Sequence, residues 1–489
     1  MIKKISERFS LSKNTFMKSK IHHIHFVGIK GVGLTPLAII AKEAGLKVSG
    51  SDIEEEFITD SALTKVGIIP FTNFSENHIT DDIDLVITTG AHGGYDNIEV
   101  RTAHKKSIPV LTKGEAVGAF MQGNILGRKF SGISVAGSHG KTTTTGMIVS
   151  ILKHAGYDPS YVVGTGSISS MDLPGHLGSG KYFVAEADEY ATEPTYNHKP
   201  QFLWQFPDIA LFTNIEHDHP DIYPTHAAVV NAFEAFTHNI SSKGVLIGCA
   251  DDKKVYSLIK NFDKRTITYG FSPQNEYVIS NVQILGSQTF FKVRAYGREI
   301  GEFRLQVIGE HNALNALGAM SVGVELGISI DRIREGLYLF NGVKRRLEFK
   351  GQLKSGAYIF DDYAHHPTEI AKTLQALRMR YPKEKIIAVF QPHTYSRTKA
   401  LFTEFTKAFH DADEVILVDI YGSLREIKDP SVSSKLLAAS MSKNNTHYIP
   451  KLEEVASYIK KESPNENVVI VFMGAGDVYK TIDLIDLIK

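Results

Sequence analysis

The chain has 489 residues, too many for one hydrophobic core, and at roughly 150 residues per domain it divides into about three. Hydrophobic residues make up 43% and charged residues 22%, and 54 Lys+Arg balance 54 Asp+Glu, which excludes a global basic field for nucleic acid or an anionic membrane. The single Cys249 excludes an intrachain disulfide and a cysteine metal cluster and fits a reducing cytoplasm, and no apolar run reaches the length of a membrane span.

Residues 1–20 are basic, lack the apolar segment of a secretory signal and read as a loosely ordered extension. The first predicted strand is Ile24–Val27. It enters Gly28-Ile29-Lys30-Gly31-Val32-Gly33, then an apolar helix over 34–44, a second strand over 47–50, and Ser51-Asp52 at that strand's end. This is a βαβ unit with dinucleotide-fold geometry. Glycines let the backbone approach a diphosphate, and an acid at the next strand end can hold a ribose hydroxyl. Pro36 stands where a third glycine would fall, so NAD(P), another nucleotide diphosphate and a bare glycine turn all stay open. The alternation continues through strands at 85–89 and 108–111 and a helix over 113–121, with a boundary in the loop 122–128.

The second domain opens on a strand from Ile133 into Gly137-Ser138-His139-Gly140-Lys141-Thr142-Thr143, followed by a helix over 143–154. This is a phosphate-binding loop. Backbone N–H groups and the helix dipole hold oxygens, Lys141 supplies a point charge and Thr142 can ligate magnesium. Val135 stands in place of the usual first glycine. An apolar strand over 182–189 ends in three carboxylates, Glu186, Asp188 and Glu189, and another over 209–214 (closing on Asn214) ends in Ile215-Glu216-His217-Asp218-His219. Ligands of an open parallel sheet sit beyond the carboxyl ends of its strands, so Lys141, Thr142, Glu186 and His219 are placed around one crevice. Oxygen ligands beside phosphates suit magnesium, with zinc at His217 and His219 a lesser alternative. Further β segments are expected at 245–247 and 277–293, then a helix rich in small residues from 309.

The third domain is expected from 329, again with polar residues at strand ends: Asp361 to Pro367, Gln391 to Thr398, Asp419 to Tyr421 and Met473 to Asp477. The fold class is α/β in three domains after the extension: a Rossmann-like domain over 21–127, a P-loop ATPase domain over 128–328 and a Rossmann-like domain over 329–489. From these residues alone the chain is an enzyme that handles a nucleoside triphosphate. An NAD(P) oxidoreductase would leave the phosphate loop without a role, and a P-loop ATPase or binding module is a further alternative.

Several separated motifs, in order, are similar to those of the Mur ligases of bacterial peptidoglycan synthesis. They are the two glycine loops, Glu186-Ala187-Asp188-Glu189, Asn214 to His219, His311-Asn312-Ala313-Leu314-Asn315-Ala316, Gly342 to Arg346, Asp361 to Glu369 and Gln391 to Thr398. The resemblance covers nearly the whole chain after Lys20. It implies ATP-dependent amide formation through an acyl phosphate in the bacterial cytoplasm. The partners implied are UDP-N-acetylmuramate and a small amino acid, with L-alanine favoured and no nucleic acid or membrane, and the chain is expected as a monomer or weak dimer.

The first glycine loop, with Gly28, Lys30, Gly31, Val32, Gly33, Ser51 and Asp52, is then assigned to UDP. ATP falls to Gly137 through Thr143, Asn214, His311, Asn312, Asn315, Arg345 and Asp361, and the incoming amine to Tyr363, His365, His393 and Arg397. Lys141, Glu186, His219 and Arg346 carry the catalytic assignment, with magnesium on Thr142 and Glu186 and a second ion at His219. Many relatives use a carbamylated lysine at that second site. None is expected here, because no lysine lies between His219 and Ser242.

Two positions depart from the alanine-adding branch. Lys30 replaces a glycine of the diphosphate loop, and Thr394 replaces an arginine that helps hold the amino acid's carboxylate. Losing one arginine of such a clamp weakens binding or changes the amino acid accepted. A ligase that recycles a whole tripeptide onto the same sugar nucleotide, or one that uses another small amino acid, is the alternative.

Overall fold

The computed structural model describes residues 21–422, 426–441, 445–462 and 467–488. The N-terminal extension expected over 1–20 lies outside them. Among the described residues no helix is long and apolar enough to cross a membrane.

The first sheet has four parallel strands, ordered Lys47–Ser51, His23–Val27, Leu85–Thr88 and Val110–Thr112. Strand Leu85–Thr88 is a near-continuous apolar run, and His23–Val27 is buried along its whole length. Pro36 falls in the first turn of the helix Thr35–Glu43, where its missing N–H costs nothing. That is the physical reason a proline can stand in the glycine's place.

The central sheet has ten strands. Parallel strands Ser160–Val162, Tyr182–Ala187, Ser131–Ala136, Ile209–Phe212, Val245–Cys249 and Arg265–Gly270 form its body. The stretch expected as β over 277–293 becomes Tyr277–Leu285, Gln288–Ala295 and Arg298–Leu305, which extend the sheet as antiparallel ribbons. Strand 182–187 has two apolar faces. Tyr182 and Val184 enter the central core, while Phe183 and Ala185 enter a core shared with Ile24, Phe26 and Phe120 of the first domain.

The third sheet has seven strands, with Lys385–Phe390, Val468–Met473 and Tyr358–Asp362 parallel at its centre and Glu348–Leu353 antiparallel at one side. The sequence reading begins this domain at 329, but the helix Ile330–Leu339 packs otherwise. Ile333, Leu337, Phe340 and Val343 lie in the same core as Ile133 and Met147, so by packing this segment goes with the central sheet.

Candidate active site

Strand Ser131–Ala136 pairs in parallel with Tyr182–Ala187 on one side and Ile209–Phe212 on the other, so all three end at the same level. The phosphate loop, the carboxylates after Ala185 and the polar run after Thr213 therefore share one crevice. Gly140 turns the chain into the helix Lys141–His154 with φ +81, and a Cβ there would lie 2.6 Å from Asn315 Oδ1. The position needs glycine for both reasons.

Polar side chains hold the loop in shape. Asn214 Oδ1 accepts the His139 N–H at 2.9 Å, and its Nδ2 donates to the His139 carbonyl at 3.1 Å. Ser138 Oγ accepts the Glu216 N–H at 2.9 Å. Asn214, read from the sequence as facing ATP, thus props the loop that would bind it. Asn312 Nδ2 donates to the Ile308 carbonyl and Asn315 Nδ2 to Asn312 Oδ1. His311 is pushed down to about 4 by burial, with Lys372 and Arg346 adding to it, so its imidazole is neutral.

Lys141 does not point into open space. Its amine donates to the Gly137 and Ser138 carbonyls of its own loop and lies 2.8 Å from Glu189 Oε2. Burial opposes the ammonium, but Glu189 and Asp188 raise its pKa and keep it charged. Burial pushes Glu189 up, against the pull of Lys141. Thr142 Oγ1 donates to Glu186 Oε2 at 3.0 Å, and Glu186 Oε1 accepts the Gly164 N–H. This pair of hard oxygens, one in the first turn of the helix and one at the end of the neighbouring strand, fits magnesium. His219, held at φ 54, has its Nε2 3.7 Å from Asp218 Oδ2 and 3.9 Å from Glu189 Oε1. Its carboxylate neighbours are therefore Glu189 and Asp218, with Glu186 the partner of Thr142.

The third domain meets this crevice through charged groups. Arg397, 3% exposed, donates from Nε to Asp218 Oδ1 at 2.8 Å and approaches His393 Nδ1 at 3.1 Å. Burial works against both charges, yet Arg397 holds the Asp218 carboxyl well below its usual range. Thr368 Oγ1 donates to Glu216 Oε2 at 2.6 Å. His139 stands between Glu369, 3.3 Å from Nδ1, and Glu216, 3.5 Å from Nε2. Burial opposes its charge, but the two carboxylates raise it to about 10.

The remaining expected residues fall into two groups. Tyr363, His365 and His393 gather beside Arg397, with ring centroids 5.4 and 6.0 Å apart along that chain. Arg346 lies over Tyr363 and 3.4 Å from Glu369. Arg345 and Asp361 are instead joined to each other at 3.2 Å in a buried pair, and Arg345 also donates to the Gly474 carbonyl. Burial pushes Asp361 up to about 6 in spite of that arginine.

In the first domain, Gly28 and Ile29 donate N–H groups to the Ser51 carbonyl, which folds the loop of Gly31, Val32 and Gly33 onto the strand end. Ser51 Oγ donates to buried Glu99, and Asp52 accepts the Lys30 N–H at 2.8 Å. The Lys30 amine turns away from the loop. It donates to the Glu55 carbonyl at 2.8 Å and lies 3.6 Å from Asp60. Sequence reasoning left Glu216, Asp218 and Glu369 without roles. Glu369 carried a signal, since it completes a capping box with His366 at the start of the helix Pro367–Arg380.

Known proteins resemble this chain in sequence and fold. Residues 23–124 match the family described as Mur ligase family, catalytic domain, residues 135–323 the Mur ligase middle domain, and residues 345–476 the Mur ligase, glutamate ligase domain. The UDP-N-acetylmuramate–L-alanine ligase of Desulfitobacterium hafniense is 38% identical over 462 residues, covering 94% of this chain and 98% of that one. The protein of the same name from Clostridium kluyveri is 39% identical, covering 96% and 98%. The crystal structure of UDP-N-acetylmuramate–alanine ligase from Thermotoga maritima superposes with a TM-score of 0.77 at 30% identity, covering 94% of this chain and 97% of that one. A murein peptide ligase from Psychrobacter arcticus has the same fold, with a TM-score of 0.71 at 23% identity, covering 96% and 100%.

Proposed function

The chain belongs to the Mur ligase family, and from that premise we propose that it joins L-alanine to the carboxylate of UDP-N-acetylmuramate at the expense of ATP, in peptidoglycan precursor synthesis. The observation that carries the reading is full-length similarity to ligases of that name, at 38–39% identity. The geometry supports a division of labour. The first domain takes the sugar nucleotide on its glycine loop, the central domain takes ATP, and the third brings Tyr363, His365, His393 and Arg397 to the incoming amino acid.

The residues suit the chemistry. A carboxylate becomes an acyl donor once its oxygen is phosphorylated, and moving a γ-phosphoryl group onto another anion needs positioned cations. Lys141 is a cation at the end of the phosphate loop, and its move from Glu189 to ATP would exchange one carboxylate for phosphate oxygens. Thr142 and Glu186 would hold magnesium, which supplies charge neutralisation between the phosphates. Phosphoryl transfer to the carboxylate breaks the β–γ bond of ATP and leaves ADP; the amino group then attacks the acyl carbon, a tetrahedral intermediate forms, and it collapses to the amide with loss of inorganic phosphate and the amine's proton. Closing the third domain over the crevice keeps water from the acyl phosphate. Such a reaction belongs to the bacterial cytoplasm, where nucleotide precursors are made.

Thr394, at φ 68 ahead of the helix Tyr395–Ala400, stands beside this amino-acid seat. The expected activity is therefore tested with a panel. Phosphate release is measured with ATP, magnesium and UDP-N-acetylmuramate, adding single amino acids and then the tripeptide. Release that needs the sugar nucleotide and L-alanine supports the reading. Release indifferent to both sinks it, and turnover with the tripeptide but not L-alanine moves the chain to the recycling branch.

A further inference from the structure

Lys113 crosses from the first domain to the crevice. It opens the helix Lys113–Met121, whose start is fixed by a capping box between Thr112 and Glu115. Its Nζ lies 2.8 Å from Asp188 Oδ2, and Asp188 Oδ1 accepts the Tyr190 N–H, which fixes the carboxylate. On the way, the lysine stem covers the first-domain glycine loop. A Cβ on Gly33 would come 2.4 Å from Lys113 Cδ and 3.4 Å from its Nζ. A side chain at 33 would therefore push the lysine off the loop, which gives this glycine its reason.

A diphosphate seated on that loop needs a cation beside it. Lys30 is a poorer candidate, because its amine is directed towards Glu55 and Asp60 and its side chain is only 10% exposed. The Lys113 ammonium has three donors and uses one on Asp188, so it can hold a phosphate oxygen without leaving its partner. A quarter of its side chain is exposed to solvent, enough for a ligand on the loop to reach it.

We propose that Lys113 is a substrate-binding residue whose ammonium grips the diphosphate of a uridine diphosphate sugar on the Gly28–Gly33 loop, aimed there by Asp188. The proposal rests on the sugar nucleotide assigned under Proposed function.

Calorimetric titration of the full chain with UDP, UDP-N-acetylmuramate and ATP tests this. Lys113→Met weakens UDP and UDP-N-acetylmuramate alike, by roughly ten- to hundredfold, the cost of a lost charge-assisted hydrogen bond. Lys113→Arg restores most of the affinity, and ATP binding is unchanged in both. Equal UDP affinity in the unaltered chain and Lys113→Met overturns the proposal. So does a loss confined to UDP-N-acetylmuramate, which would put the amine on the sugar's carboxylate. A parallel loss of ATP affinity would mark a merely structural lysine and overturn it too. If the unaltered chain binds neither uridine compound, the substrate reading itself falls.

Discussion

The central domain meets its two neighbours in different ways. Against the first domain it presents Phe183, Ala185 and Val162, which share one apolar core with Ile24, Phe26 and Phe120. Against the third it presents Asp218, Glu216 and His139, which meet Arg397, Thr368 and Glu369. An apolar seam has no directional partner to exchange with water, and opening it exposes hydrophobic surface. A seam of charges and hydrogen bonds can open, because water takes over each partner. The first seam also carries polar pairs, Lys113 with Asp188 among them, and Ile284 and Ile308 of the central domain pack against the third domain's core, but the balance leads us to expect the third domain to move more readily than the first.

The largest test breaks the apolar seam. Phe183→Ala removes a fully buried ring from the shared core and is expected to cost about 3–5 kcal/mol, read as a lowered denaturant midpoint. Unchanged stability would mean that the seam is not the packed core described. Next is the polar seam. Asp218→Ala leaves Arg397 buried without its carboxylate, at a cost of about 3 kcal/mol to closure. Small-angle scattering should show a more open chain and turnover should collapse, while the unfolding midpoint barely moves. Pairing the change with Arg397→Leu should recover part of the closure but not the turnover.

A smaller effect follows from pH. His139 is raised from 6.5 to about 10 in the closed form, so its contribution to closure is complete below pH 6.5 and fades as pH climbs towards about 10. Glu216 is held down at about 2 from an ordinary 4.5: partial burial opposes its charge, and His139 and Thr368 outweigh that. Its contribution is complete above pH 4.5 and is lost as pH falls towards about 2. Closure followed by scattering should therefore weaken above pH 6.5, while the apolar seam stays level; below 6.5 it is opposed by His365 and His366, which burial holds down to about 4. An opening that begins only above pH 10 would remove His139 from the account. The smallest expected change is Thr394→Arg, which places a second cation near Arg397. The Michaelis constant for L-alanine should fall by about fivefold or less, the scale of a partly exposed ion pair. A constant that rises would count against a carboxylate clamp at this edge.

The residues at strand ends were legible in the sequence because their positions follow from local pattern. An apolar run, a glycine turn and a helix start fix where Lys141 and Thr142 fall without reference to the rest of the chain. The seams were not legible, because each joins distant positions. Lys113 and Asp188 are 75 residues apart, and Arg397 and Asp218 are 179 apart. Lys30 shows the middle case. Its place in the glycine loop was plain from sequence, but the direction of its amine depended on where the chain brought Glu55 and Asp60. The helix Ile330–Leu339 falls just after 329, where the third domain was expected to begin. Its apolar face, through Ile333 and Leu337, had already been committed to the central core.

The two faces of strand Tyr182–Ala187 also bear on how the protein can be cut. The loop after 122 separates two topological units, and it invites excision of the first domain. An excised central domain would turn Phe183 and Ala185, both fully covered in the intact chain, towards solvent, and the excised first domain would bare Phe26 and Phe120. Each piece would carry a hydrophobic patch of the kind that drives aggregation. The smallest fragment expected to remain soluble and cooperative therefore runs through both domains, and the more promising place to sever the chain lies after Val343, the last residue of this stretch in the central core.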